Sequence, residues 1–77
     1  MRAITFDRPI PHKYRRLIYI RDTATRETLG HIGYCPKAQP AYRTYSVYGA
    51  DGHTLVEHCG TLNDAKATAA RYFGTQH

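Results

Sequence analysis

Seventy-seven residues allow one domain, since a second would fall below the size at which a core sustains itself. Hydrophobic residues at 42% against 22% charged exclude a disordered tail, and two Cys are too few for the disulfide framework of a small secreted domain. Eleven Lys and Arg against six Asp and Glu leave a net charge of +5, which points to an anionic partner.

Taken in chain order, residues 1–13 form a basic arm in which Pro9 and Pro11 forbid a helix or a central strand. Arg2–Phe6 fits a short edge strand, and the rest of the arm reads as extended connector. Tyr14-Arg15-Arg16-Leu17-Ile18-Tyr19-Ile20-Arg21 is rich in β-branched and aromatic residues and predicts a strand. Asp22–Glu27 is polar and turn-like. Thr28–Cys35 predicts the returning strand, with Gly30 and Gly33 marking a bulge or a close backbone approach. Pro36-Lys37-Ala38-Gln39-Pro40 is a loop. Tyr42–Tyr48 and His53–Cys59 predict a second hairpin around Asp51-Gly52, a dipeptide suited to a tight turn. Period-two alternation places Tyr42, Thr44, Ser46 and Tyr48 on one face, and Arg43, Tyr45 and Val47 on the other.

Thr61 is a candidate helix cap, and Leu62, Ala65, Ala69, Tyr72 and Phe73 recur at helical spacing as one apolar stripe. Gly74 stands where a helix stops. The expected fold is α+β: a four-stranded, mostly antiparallel sheet of two β-hairpins over residues 14–59, with one C-terminal helix over 61–73 packed on one face. One such helix leaves the other sheet face to water or a partner.

The excess charge is concentrated. Residues 1–26 hold seven Lys and Arg against two Asp, whereas residues 27–77 hold four of each sign. Arg outnumbers Lys eight to three, which suits bidentate contacts to carboxylate or phosphate. Seven Tyr add the residue type enriched, with Arg, at interface hot spots and nucleic-acid stacking surfaces. The candidate partner-binding residues are therefore Lys13, Arg15, Arg16, Tyr19, Arg21, Arg43 and Tyr45.

Catalytic signals are poor: there is no phosphate-binding glycine loop, no Gly-x-Ser-x-Gly and no His-Glu-x-x-His. Adjacent strand residues such as His58 and Cys59 point to opposite faces, which spoils a base–nucleophile pair. His31, Cys35, His53, His58 and Cys59 are zinc-compatible types, but strand residues four apart lie ~13 Å from each other and no Cys-x-x-Cys fixes a site. The expectation is a non-enzymatic protein without metal or cofactor, its cysteines reduced. No apolar run reaches the ~20 residues of a membrane span, and the opening residues lack a signal-peptide core, so the expected location is cytoplasmic.

Tyr45–Tyr48, Asp51-Gly52, Leu55–Cys59 and Gly60-Thr61-Leu62-Asn63-Asp64-Ala65-Lys66 resemble many short phage reading frames, some of which are inhibitors of bacterial defence systems, including anti-CRISPR proteins. That resemblance covers residues 42–73. It implies an inhibitor, acting in a bacterial host cell as monomer or homodimer, whose partner is a bacterial protein complex with an acidic surface. The order of sheet then helix also resembles the arm-type DNA-binding domain of phage integrases, although that family has three strands and lacks the 36–40 loop. The alternative function is accordingly nucleic-acid binding by the basic N-terminal third and the open sheet face.

Overall fold

The structure, a computed structural model, describes residues 3–74. Arg2, expected to open the first strand, lies outside them. The elements are β1 (Ile4–Phe6), β2 (Ile10–His12), β3 (Arg15–Asp22), β4 (Thr28–Tyr34), a single 3-10 turn (Pro40–Tyr42), β5 (Tyr45–Gly49), β6 (Leu55–Cys59) and α1 (Leu62–Gly74). All strand pairs are antiparallel, in the order β1-β3-β4-β5-β6, with β2 sharing β3's outer edge with β1.

The sheet thus has six strands rather than four. The difference lies in the arm: Ile4–Phe6 and Ile10–His12, the latter expected as connector, both join the sheet at its edge. An edge strand bonds only on its inner side, so a residue without an N–H is tolerated there. Pro11 sits opposite Arg16 in that position. Between the two short strands the Asp7 N–H still donates to the Tyr19 carbonyl at 2.9 Å.

Alternation along β3 buries Ile18 and Ile20 and turns Leu17 and Tyr19 the other way. Ile18, Ile32 and Val47 stand side by side across β3, β4 and β5, each at most 2% exposed. Helix α1 closes this face with Ala65, Thr68, Ala69 and Phe73. The small residues let the helix approach closely, and Phe73 supplies the bulk. Thr61 caps the helix, its Oγ1 accepting the Asp64 N–H at 3.1 Å.

The stripe differs from expectation at one position. Tyr72 is exposed and Thr68 is buried in its stead. The Thr68 hydroxyl is acceptable inside because it donates to Glu57 Oε2 at 3.0 Å. Gly30 is the close approach that the sequence implied. A Cβ there would lie 2.2 Å from the Tyr48 carbonyl oxygen and 2.7 Å from the Phe73 ring. Beside it, the β3–β4 register shifts at Ile20/Arg21, leaving Leu29 as the extra residue. β5 begins at Tyr45 rather than Tyr42, because Pro40 opens the 3-10 turn that occupies residues 40–42. No helix of the described residues is long and apolar enough to cross a membrane.

Candidate binding surface

The face opposite α1 carries Arg15, Tyr19 and Arg21 from β3, His31 from β4, and Ser46 and Tyr48 from β5. Cross-strand register brings Tyr19, His31 and Tyr48 into one row. The His31 ring stacks on Tyr48 at 4.8 Å between centroids and meets Tyr19 edge-on at 6.2 Å. Arg15 covers Tyr48 at 5.8 Å, and Arg21 covers Tyr19 at 5.7 Å. The result is a ladder of three rings with a guanidinium at each end.

Gly33 makes room for it. A Cβ at this position would come within 2.6 Å of the Arg15 guanidinium, so the side chain can lie flat only across a glycine. Arg21 is fixed differently. Its Nε donates to Asp7 Oδ2 at 2.6 Å and its Nη1 to Thr28 Oγ1 at 2.7 Å, which neutralises that end of the ladder. Arg15 is the exposed cation of the pair. Burial in the row holds the His31 pKa below its usual 6.5, and the charges of Arg15 and His12 push it the same way. His31 is therefore a neutral ring at neutral pH.

Ser46 Oγ and His58 Nδ1 lie 2.8 Å apart further along the face. The pair ties β5 to β6, and both residues line the cleft that Arg15, Cys35 and Tyr42 border. Cys59 and Glu57 belong to the helix side, where both approach Thr68. Among the described residues no three His, Cys, Asp or Glu side chains converge as metal ligands do.

Of the residues singled out in the sequence, Arg15, Tyr19 and Arg21 share the open face. Arg16 alternates to the opposite side, and Lys13 sits in the β2–β3 turn with a φ of 59°. Arg43 belongs to a different assembly: its Nη2 donates to the Pro36 and Ala38 carbonyls at 2.8 and 2.9 Å, clipping the 36–40 loop. Its buried Nε–H meets no acceptor among the described residues. Tyr45 lies on the helix side against Tyr34, 4.9 Å between ring centroids. The expected set is thus divided by the pleat, with Arg43 and Tyr45 away from the open face. His31 and Tyr48 share this face too, without having been singled out as partner-binding residues. Both were legible by alternation once the β3–β4–β5 register was known.

At the end of the sheet where β2 turns into β3, Lys13, Arg15, Arg16 and Lys37 line a cleft beside Cys35. Tyr14 and Tyr42 are 86% and 79% exposed there. Comparison with known protein families, curated proteins and solved structures gives no match.

Proposed function

We propose that this chain is a non-enzymatic binding protein that docks its open sheet face on an acidic protein surface. On the phage-like resemblance of residues 42–73, the partner is a bacterial defence complex of the CRISPR type, and the protein is its inhibitor. The observation that carries the choice of a protein partner is the ring ladder. A surface for stacking bases presents open ring faces. Here His31 and Tyr48 cover each other's faces, Tyr19 meets His31 edge-on, and Arg15 and Arg21 lie over Tyr48 and Tyr19. Outward they offer edges and hydroxyls on rings already held in place. Such rigid aromatic anchors lose little freedom on docking, as protein hot spots require.

The test is binding to purified defence complexes after nuclease treatment, with relief of interference in cells as the functional readout. Tyr19→Ala and Tyr48→Ala should each raise the dissociation rate by roughly 30-fold or more, as for a hot spot of ~2 kcal/mol. Arg15→Glu should chiefly slow association. Circular dichroism melts establish that each variant is folded. If no defence complex is bound or relieved, or if folded face variants act like the parent, the reading fails.

A further inference from the structure

The basic end of the sheet is a second surface, which shares Arg15 with the ring ladder and is otherwise built from residues outside it. Lys13, Arg15, Arg16 and Lys37 line one cleft, and among its described lining residues there is no carboxylate. The cations come from two separate stretches of chain: residues 13–16, where the β2–β3 turn runs into β3, and the loop after β4. Lys13 is held there in the left-handed region at φ 59°, a conformation that disfavours a side chain and that glycine would adopt more easily. The cleft measures about 330 Å³, within the range of roughly 300–1,000 Å³ for ligand sites.

Two rings flank it. Tyr14 borders this cleft, and Tyr42 borders the neighbouring one, which shares Arg15 and Cys35 with it. At 86% and 79% exposure, both ring faces of each stand in solvent, the opposite of Tyr19 and Tyr48. Cations interleaved with free ring faces match a strand whose phosphates and bases alternate.

We infer that this end binds single-stranded nucleic acid, with Lys13, Arg15, Arg16 and Lys37 holding phosphates and Tyr14 and Tyr42 stacking on unpaired bases. A duplex would satisfy the cations but keep its bases from the rings. An acidic polypeptide would satisfy the cations and leave the rings idle. The inference stands whether or not the sheet face docks on a protein.

The experiment is fluorescence anisotropy with a labelled oligothymidylate of about twelve nucleotides, a duplex of equal length, and polyglutamate as competitor. The strand should bind more tightly than the duplex, with a log–log salt slope of about −2 to −3 for three to four phosphate contacts. Lys37→Gln and Arg16→Gln should each flatten that slope by about 0.7. Tyr14→Ala and Tyr42→Ala should weaken binding by roughly 5- to 100-fold at unchanged slope. All four side chains are exposed, so the variants keep the fold, and Tyr72→Ala, an exposed Tyr beside the cleft of Glu27 and Asp51, serves as a control that leaves strand binding intact. Equal affinity for duplex and strand, indifference to both Tyr changes, or full displacement by polyglutamate would overturn the assignment.

Discussion

Gly30 and Gly33 sit on opposite faces of β4, and one added methyl group would be felt differently at each. At Gly30 the obstacle is backbone, the Tyr48 carbonyl at 2.2 Å, with the Phe73 ring behind it. Neither yields without moving a strand or the helix, so Gly30→Ala should cost about 3 kcal/mol or more, the upper end for overpacking. In a domain this small that lowers Tm by roughly 10 °C or more, read by thermal melt. At Gly33 the obstacle is the end of the Arg15 side chain, which can swing away. Gly33→Ala should melt close to the parent yet uncover Tyr48, seen as a shift of its ring resonances. Titration belongs to this scale too. The Asp51 carboxylate accepts the Thr54 hydroxyl and the His53 and Thr54 N–H groups, which hold its pKa near 2 against an ordinary 3.8. A depressed folded pKa contributes stability that is whole above 3.8 and disappears as pH falls toward 2. Asp51→Asn should therefore lose less Tm than the parent across that window. His31 follows the same sign around a higher pH. Its contribution is complete above 6.5 and declines below it, and an NMR titration should place its midpoint under 6.5 and move it up in Arg15→Gln.

Among the elements, α1 holds the core shut, and its residues contribute unequally. Phe73 is 5% exposed, so Phe73→Ala should cost about 3–5 kcal/mol and unfold much of the population. Leu62 is half-buried at the first turn, so Leu62→Ala should cost distinctly less. Thr61→Ala removes only the cap, about 1 kcal/mol. Urea melts of the three variants check the order. Why the helix was legible and the arm was not has a physical basis. A cap, a 3.6-residue stripe and a stop are local signals, as is the Asp51-Gly52 turn, where Gly52 has a φ of 77°. Whether Ile10–His12 pairs depends on β3 offering a free edge, which no local pattern records. The same applies to the candidate surface. Alternation gives two sets of side chains per strand, but which set faces the helix follows from packing. That is why Tyr19 and Tyr45, alike in sequence, part company across the sheet.

For the whole molecule, charge is arranged along the strands. Lys13, Arg15, Arg16 and Lys37 gather at one end, while Glu27 and Asp51 line a cleft at the other. A net +5 distributed this way steers an anionic partner toward the basic end first. The association rate with any such partner should fall as salt rises, and Lys37→Glu should depress it more than it speeds dissociation. Stopped-flow mixing across an ionic-strength series separates the two rates.

The shared outer edge of β3 has a consequence for how the sheet breathes. β4 lines β3 on its inner side along nearly its whole length, whereas β2 adds three residues, all exposed, on the other. So small a flap, burying little, can peel away while the rest stays closed. Amides joining β3 to β4 should then exchange with deuterium only at global opening, and those bonded across to β2 far sooner. Lys13 and Tyr14 ride on that flap. The lip of the basic cleft is thus held by three exposed residues on one edge, so a chain docking there would meet a surface that gives before it fastens.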